Sequence, residues 1–433
     1  MTFNYRPFAA TLAALILFSG LCAGQSDTLA KKERHFSASG QLWSRAEMRR
    51  GSLPTPDPTK DYAVFLMGSS ILRLDYTSPW LDVRFAPLFF GVWGSNSSGN
   101  LAIDEAWFKL KYKNVYAQLG RQKLMYDDQR IIGADDWVMA TATHDVLKLA
   151  FENKMHKLHL LVAFNQNNDN INGGTYYMDG GQPYKTMQTL WYHVDPLPWL
   201  GASAIVMNTG MQSRRTSEDK TIFQQLFGAY LDIHPKNFSL QASYYRQTGR
   251  EESELPIYAW MASAESAWQM NPYFKWNLGY FYMSGDTYYI PKEGQIGLIH
   301  KTEVRGFNPI FGSHHKFYGA MEFFYVSAFY GGNTPGLQDL HAGGTWTPSS
   351  KFSFTGTYHF LATGVKLPDI NRDLGHEVEL SLNWKIAKDV SIQAGYSFMQ
   401  GTKTMERLKR SSDKNRLQWA WLMVVVTPDF FKF

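Results

Sequence analysis

Residues Lys351–Phe360 read KFSFTGTYHF, and this stretch decides the fold class. Polar residues occupy every second position, and mostly aromatic residues occupy the positions between them. Because successive side chains of a β-strand point to opposite faces, such alternation gives the strand one polar face and one apolar face. A helix would instead repeat its apolar residues about every 3.6 positions. The stretch therefore predicts a β-strand.

The same alternation recurs along most of the chain, in residues 36–49, 80–90, 316–326, 390–398 and 416–426. Two all-β folds produce it, a soluble sandwich and a transmembrane barrel. Many of the alternating stretches run 11–15 residues, whereas soluble strands are usually about 5–6 residues long and a tilted membrane strand needs about 9–11. Tryptophan and tyrosine also cluster near the stretch ends. The sequence thus predicts an antiparallel transmembrane β-barrel.

Composition excludes other classes. The chain has 433 residues, of which 15% are aromatic and 19% charged, with one cysteine and a net charge of +5. Beyond the N-terminus, no apolar run reaches the roughly 20 residues of a membrane helix. The aromatic content and near charge balance oppose disorder, and a single cysteine excludes a disulfide scaffold.

The N-terminus indicates export. Arg6 precedes an apolar run from Phe8 to Leu21, and small residues follow at Ala23 and Gly24. We therefore expect a cleaved signal peptide over residues 1–24 and a single barrel domain over residues 25–433. A terminal aromatic strand ending on Phe433 is typical of chains inserted by the outer-membrane assembly machinery, so the predicted location is the bacterial outer membrane.

Short and long connections alternate, as they do in outer-membrane barrels. Counting the stretches between them gives nineteen. Because single-chain bacterial barrels have an even number of strands, we expect 18 strands within a range of 16–20. The alternation breaks around residues 286–315. Either one of the stretches counted is no strand, or this segment hides another one.

Several motifs, taken in order, resemble one family. GRQ occurs at 120–122, DQRIIG at 128–133 and HDVLKL at 144–149, and YMSGD at 282–286 and FNPIFG at 307–312 follow. Next come HKFYG at 315–319 and EFF at 322–324, where the family pattern often has aspartate in place of Glu322. The chain resembles the alginate-export family of outer-membrane porins. The resemblance implies a channel whose arginine- and lysine-lined lumen passes an acidic polysaccharide or its uronic-acid units. It also places Arg121 and Arg130 on family motifs, with Asp136 and Asp145 on the segments after them.

Charged residues independently collect on the polar face of the predicted strands. In the last alternating stretch, this parity places Arg416 toward the pore and Trp419 and Trp421 toward lipid. A lumen with fixed cations concentrates anions, and the planar guanidinium of arginine can bind both oxygens of a carboxylate. The predicted pore-lining and substrate-contacting residues are Arg45, Arg49, Arg73, Arg84, Lys109, Arg121, Arg130, Asp136, Asp145, Lys148, Lys316 and Glu322. The same ladders of paired charges could also serve only to make the wall polar.

Two placements stay open. Val115, Ala117 and Leu119 occupy the apolar parity, which would point Arg121 outward unless a bulge after Gly120 restores it. Loop 123–142 is rich in aspartate and either folds into the pore or caps it outside.

Other functions are less well supported. His144 and Asp145 are adjacent, so they point to opposite faces of a strand and cannot form a catalytic dyad directly. We therefore predict no enzyme, no cofactor, no metal and no nucleic-acid partner. The expected partners are outer-membrane lipid and lipopolysaccharide, the assembly machinery, an anionic sugar, and periplasmic export or scaffold proteins. The alternatives are a porin for neutral sugars or small organic acids, and a barrel enzyme or adhesin.

Overall fold

A computed structural model of the chain describes residues 34–51, 57, 59–95, 99–165, 184–216, 219–286, 301–321, 334–368, 370–409 and 416–433. The predicted signal peptide lies outside these residues and stays a prediction. The strands are β1 (His35–Arg50), β2 (Ala63–Thr77), β3 (Leu81–Val92), β4 (Asn100–Tyr112), β5 (Val115–Gln122), β6 (His144–Glu152), β7 (His156–Phe164), β8 (Thr186–Leu197), β9 (Leu200–Gln212), β10 (Thr221–Ile233), β11 (Phe238–Gly249), β12 (Ala259–Asn271), β13 (Phe274–Met283), β14 (Leu337–Ser349), β15 (Phe352–Ala362), β16 (Asp373–Ala387), β17 (Val390–Gly401), β18 (Arg416–Val426) and β19 (Asp429–Lys432). A 3-10 turn spans His314–Lys316, and the helix α1 spans Lys403–Lys409.

The strands form one closed antiparallel barrel. From β1 to β18, each strand pairs with the next one along the chain, and β1 also pairs with β18 and β19. Because β18 and β19 pair with β1 in succession, they act as one wall strand that is interrupted at residues 427–428. The wall therefore has 18 strands, which confirms the prediction. Closure leaves no unpaired strand edge in the membrane.

Turns of two to four residues join the strands at one end of the barrel, and longer connections join them at the other. In outer-membrane barrels the short turns face the periplasm. The longest connection, residues 284–336, links β13 to β14, which are direct neighbours in the wall. The segment that broke the predicted alternation therefore adds no strand between them. The strand predicted over 316–326 is wrong where it is described: Lys316 ends the 3-10 turn and residues 317–321 belong to no strand, while residues 322–326 lie outside the described residues.

In most strands, alternate side chains face the lumen and the outside of the barrel in the way that the sequence predicts. On the outer parity, large apolar side chains remain exposed: Leu42, Leu101, Leu340 and Leu422 are 43%, 79%, 47% and 51% exposed. In β15 the inward residues are the polar ones, because Thr357 pairs with Glu379 of β16. The apolar band of the outer face is what a bilayer requires.

The last strand departs from this prediction. Trp419, Trp421 and Met423 pair with the inward-facing residues Arg49, Glu47 and Arg45 of β1, so they face the lumen. Arg416, which the polar parity placed inside, has the outward register. The expectation that polar residues mark the lumen-facing side of a strand fails in β18, because the inner face of β18 packs against protein rather than water.

Two connections supply that packing. We call residues 123–143 the first inner segment and residues 301–321 the second inner segment. Their side chains form one buried cluster with inward residues of the wall; the cluster includes Tyr126, Ile132, Phe307, Phe311, Leu161, Met207, Leu226, Met261 and Phe281. The inward face of much of the wall from β6 to β13 is therefore apolar. Among the described residues, no helix has the length and hydropathy needed to cross a membrane.

Gly120 in β5 gives a test of the wall geometry. Its φ is +125°, and a Cβ there would lie 2.2 Å from the backbone oxygen of Ala106 in β4. We expect Gly120→Ala to lower the free energy of unfolding by about 1–3 kcal/mol, because both the backbone conformation and the contact become strained. Urea unfolding of the refolded barrel in detergent measures this.

Gly356→Ala is the matched control, because the nearest atom to its Cβ would be 3.4 Å away. Equal stabilities of the two variants would contradict the described pairing of β4 with β5.

Candidate functional site

The first inner segment crosses the lumen. On one side, Arg45 Nη1 of β1 donates to the backbone oxygen of Trp137 at 3.0 Å. On another side, Trp191 Nε1 of β8 donates to Asp127 Oδ1 at 3.1 Å. Because β1 and β8 are far apart around the wall, a segment that touches both with inward side chains lies inside the barrel. The open alternative of an outer cap is thereby excluded.

The second inner segment joins the first and extends the crossing. The backbone nitrogen of Gly133 donates to Phe311 O at 2.8 Å, and that of Phe311 donates to Ile131 O at 3.1 Å. Further along, the backbone nitrogen of Met321 donates to Glu377 Oε1 of β16 at 2.9 Å. The two segments together narrow the lumen between β1, β8 and β16.

Arg130 fastens this arrangement to the wall. Its side chain is 2% exposed, and its Nε donates to Asp128 Oδ2 at 2.7 Å while Nη2 donates to Glu265 Oε1 of β12 at 2.6 Å. The guanidinium carbon also lies 4.0 Å from the ring centroid of Phe317 in the second inner segment. A buried cation needs such partners, because its hydration has been removed. Arg130 therefore anchors the two inner segments to the wall and is not exposed to a solute in the pore.

An aromatic cluster occupies the opposite side of the lumen. Trp137 stacks on His315 with ring centroids 4.3 Å apart and contacts Trp421 edge to face at 4.8 Å. Arg45 lies behind Trp137, with its guanidinium carbon 4.1 Å from the ring centroid, and bonds to Glu47 at 2.7 Å. Here both inner segments meet the first and last strands.

The wall from β2 to β6 carries a basic sector toward the short-turn end of the barrel. Arg84 Nε bonds to Asp75 at 2.7 Å, and Nη1 bonds to Glu105 at 3.0 Å. Lys111 pairs with Asp82. These cations are neutralised by the acids beside them, as a structural ladder requires. Arg49, nearer the long connections, is likewise paired with Glu47 at 2.5 Å.

Three cations of the basic sector have no carboxylate in direct contact among the described residues. Arg73 donates to the amide oxygen of Gln41 at 2.7 Å. Lys109 Nζ lies 4.6 Å and Lys148 Nζ 5.7 Å from the ring centroid of Tyr116. Within the part of the chain that the structure describes, no carboxylate lies within 4 Å of these three cations. Asp82 and Glu152 act on the lysines only from beyond 4 Å. The five cations of the sector, Arg73, Arg84, Lys109, Lys111 and Lys148, outnumber its four acids, Asp75, Asp82, Glu105 and Glu152, by one.

A pocket of about 410 Å³ lies in the lumen against β15, β16 and β17. Its polar lining includes Thr355, Thr357, Ser381, Asn383, Gln393 and Ser397. Trp421 and His315 complete it on the side of the aromatic cluster. Apart from Glu379 and the histidine, the polar lining offers hydroxyl and amide groups, which can donate and accept hydrogen bonds without net charge.

Arg121 and Asp145 do not lie where the sequence predicted. They are opposite each other in the pairing of β5 with β6 and form a two-point ion pair, with both distances 2.8 Å. Their parity is that of Leu119 and Leu147, the outward face, and β5 pairs with β4 without a bulge after Gly120. The two residues therefore stabilise the outer surface near the long connections and do not line the pore.

The remaining predicted residues divide between the inner segments and the part of the chain not described. Asp136 accepts from Lys123 at 3.1 Å, and its side chain is 64% exposed. Lys316 Nζ donates to the backbone oxygen of Asp128 at 3.1 Å, so it links the two inner segments. Glu322 lies outside the described residues.

The aromatic and hydroxyl groups of the pore were missed because tryptophan was assigned to lipid. A signal was present: in β9, LGASAIVMNTGMQ, and in β13, FKWNLGYFYM, apolar residues occupy both parities. Such strands contact apolar surroundings on both faces. Here the second apolar surface is the inner segments.

A closed barrel of 18 strands with an apolar outer band and a partly filled polar lumen defines an outer-membrane channel. Its fold is that of known porins. The chain is similar to OpdL of Pseudomonas aeruginosa, with 13% identity, a TM-score of 0.61 and coverage of 92% of this chain and 99% of that one. It is also similar to OccK2 (OpdF) of Pseudomonas aeruginosa, with 12% identity, a TM-score of 0.62 and coverage of 92% of this chain and 98% of that one. For OccAB2 of Acinetobacter baumannii the identity is 14% and the TM-score 0.61, with coverage of 92% of this chain and 98% of that one.

The sequence model of the alginate export family matches residues 95–362. The chain therefore belongs to the alginate export family, and it lies in the bacterial outer membrane. No curated protein gives a significant sequence match. The resemblance to this family found in the sequence motifs is confirmed.

Arg130→Ala tests the fastening of the inner segments. Removing the guanidinium leaves Asp128 and Glu265 without their shared cation, at a cost of about 3–5 kcal/mol for a buried pair. We expect the segments to loosen and the single-channel conductance in planar bilayers to rise and fluctuate.

Arg121→Ala is the matched control, because this arginine lies on the outer face. It should leave the conductance unchanged. An Arg130→Ala channel with the conductance and thermal midpoint of the parent would disprove the fastening role.

Proposed function

We propose that the protein is a passive, anion-preferring channel for acidic saccharides. The observation that carries this proposal is the charge on the lumen wall: Arg73, Lys109 and Lys148 face the lumen and have no acidic partner within 4 Å among the described residues. Fixed cations in a cleft with low-dielectric walls raise the local concentration of anions and speed their entry.

The placement of the lysines suits transient rather than tight binding. Lys109 and Lys148 are both opposite Gln118 in the strand pairing, so two ammonium groups flank one amide on the wall. An ammonium is a compact, hydrated charge on a flexible stem, and it does not fix a carboxylate with two parallel bonds as arginine does. A solute that binds weakly at several such sites can move on, which conduction requires.

The pocket against β15–β17 supports a saccharide as the solute. Sugar hydroxyls need partners that both donate and accept, and Thr355, Ser381, Asn383 and Gln393 provide them. Trp421 provides a flat apolar surface for the face of a sugar ring. A small inorganic anion would need only the cations. Cations without a contacting carboxylate, together with a pocket lined mainly by hydroxyl and amide groups, fit a uronic acid.

The first experiment replaces the three uncompensated cations together, in Arg73→Gln, Lys109→Gln, Lys148→Gln. We expect the reversal potential under a KCl gradient to shift from the anion side toward zero or the cation side, because the excess positive charge is gone. A preference for cations in the parent channel, or an unchanged reversal potential in the variant, would contradict the proposal.

The matched control neutralises a compensated pair, Lys111→Gln with Asp82→Asn. This change removes two charged groups of the same sector but leaves its net charge unaltered. The reversal potential should therefore stay at the parent value.

The second experiment tests the saccharide. In Trp421→Ala, uronate oligomers should block the current about two- to tenfold less strongly, as the loss of about 0.5–1.5 kcal/mol of ring contact requires. The KCl reversal potential should not change, since no charge is removed. Trp384→Ala on the outer face, 48% exposed, is the control. Equal block by neutral and acidic oligomers of the parent channel would favour a general porin instead.

A further inference from the structure

A cluster of histidines and carboxylates lies on the lumen face of β12, β14, β15 and β16. Its Glu379 also lines the proposed saccharide pocket, whereas Asp339, His341 and His359 do not line that pocket. Asp339 and His341 lie two residues apart on β14 and so share the inward parity, and His359 of β15 is directly opposite His341. One ligand atom from each of the three side chains lies within 4.8 Å of the other two. We propose that these residues form a binding site for a divalent transition metal ion of the Zn²⁺ class.

The distances suit such an ion. His359 Nδ1 is hydrogen-bonded to Asp339 at 3.0 Å from Oδ1, and His341 Nδ1 lies 3.2 Å from Asp339 Oδ2. A metal ion would take the place of the proton in the first contact. Ligands at about 2.0–2.2 Å from a tetrahedral Zn²⁺ are separated from one another by about 3.3–3.6 Å. The ligand atoms thus need to move apart only slightly to admit the ion. Two imidazoles and one carboxylate favour transition metals over Ca²⁺ and Mg²⁺, which prefer oxygen ligands.

A second shell of carboxylates holds both rings. Glu265 Oε2 lies 2.8 Å from His341 Nε2, and Glu379 Oε1 lies 3.4 Å from His359 Nε2. A carboxylate on the outer ring nitrogen fixes the tautomer that leaves the other nitrogen free to bind a metal, and it raises the basicity of that nitrogen. Gly279 of β13 permits the first of these contacts, because a Cβ there would lie 2.2 Å from both Glu265 Oε2 and His341 Nε2.

One ring nitrogen of the cluster lacks a hydrogen-bond partner among the described residues. His341 Nδ1 is buried and makes no hydrogen bond to any residue that the structure describes, although Asp339 Oδ2 is 3.2 Å away. A proton on this nitrogen would be expected to point at the carboxylate. A lone pair directed at a shared metal explains the geometry without leaving a buried polar atom unsatisfied.

Charge points the same way. Asp339 and Glu379 have no lysine or arginine within 4 Å among the described residues, and the two histidines are their nearby charge partners. Arg130 forms an ion pair with Glu265, but it also pairs with Asp128, so its single charge is divided between two carboxylates. Buried carboxylates in excess are costly unless a cation neutralises them. A divalent ion at the three ligands would do so. The competing account places an extra proton on both histidines instead.

Metal titration of the refolded full-length barrel, stripped with a chelator, separates these accounts. We expect one Zn²⁺ to bind at this cluster with a rise in the thermal midpoint, and Co²⁺ in its place to give the visible absorption bands of a low-coordinate site. Mg²⁺ should not compete. The absence of any Co²⁺ band and of any thermal shift with Zn²⁺ in the parent protein would overturn the proposal.

The variants His341→Gln and His359→Gln should each weaken Zn²⁺ binding by about 10–100-fold or more, since even outer-shell partners of a metal site contribute this much. His193→Gln is the matched control. His193 also faces the lumen and bonds to a carboxylate, Asp195, at 2.8 Å, but within the described part of the chain it belongs to no group of three possible metal ligands. Equal loss in all three variants would overturn the site. Heat-dependent mobility in gels verifies that each variant folds, and the Co²⁺ spectrum of the parent decides the matter if one does not.

Discussion

The narrowing of this channel depends on how a buried guanidinium is satisfied. Arg130 lies inside the barrel at 2% exposure, and removing its hydration is costly unless carboxylates replace the water. One of its two carboxylates comes from its own segment, Asp128, and the other from the wall, Glu265 of β12. The first inner segment cannot leave the lumen without leaving one of these charges unpaired. The position of the second inner segment follows, because it is hydrogen-bonded to the first and packs Phe317 against the same guanidinium.

This constraint explains the uneven character of the wall. Where the inner segments lie, from about β6 to β13, the inward face is apolar, with Leu161, Met207 and Phe281 buried beneath them. Where the lumen is free, the wall is polar: charged from β2 to β6 and rich in hydroxyl and amide groups from β15 to β17. Under the proposed function, a solute passes beside the polar sectors. The family and the fold establish a channel. Under the proposed function, the division of the wall into sectors sets its chemical preference.

The fold could be predicted well from the sequence because it rests on local rules. Alternation in Lys351–Phe360 and its repeats depends only on strand geometry and on the bilayer, and closure then requires an even strand number. The candidate site was harder, because parity identifies a lumen only where the lumen holds water. In β18 the rule assigned Trp421 to lipid and Arg416 to the pore, and both assignments are reversed. The strand predicted at 316–326 failed for the same reason: its described residues alternate but pack inside the barrel.

Other misplacements have equally specific causes. Arg121 stands on a family motif, but its parity on β5 is outward, and its carboxylate partner Asp145 is directly opposite it on β6. Strand register places Arg121 on the outer face, which is the side that its apolar neighbours Val115 and Leu119 indicated. The histidine cluster lay beyond sequence reasoning, because Asp339, His359 and Glu265 are brought together only by the order of strands in the wall. The spacing of residues within one strand does not reveal which side chains of other strands will lie beside them in the barrel.

Cysteine accessibility tests most directly where the conducting path runs. Two single substitutions at inward positions distinguish the polar sector from the covered one: Trp421→Cys lies beside the free pocket, and Leu161→Cys lies beneath the inner segments at 0% exposure. With a charged, membrane-impermeant thiol reagent added during bilayer recording, we expect a stepwise fall in current for Trp421→Cys and no change for Leu161→Cys. Rapid block of both variants would show a lumen open on all sides, which is incompatible with inner segments that cover the wall at Leu161.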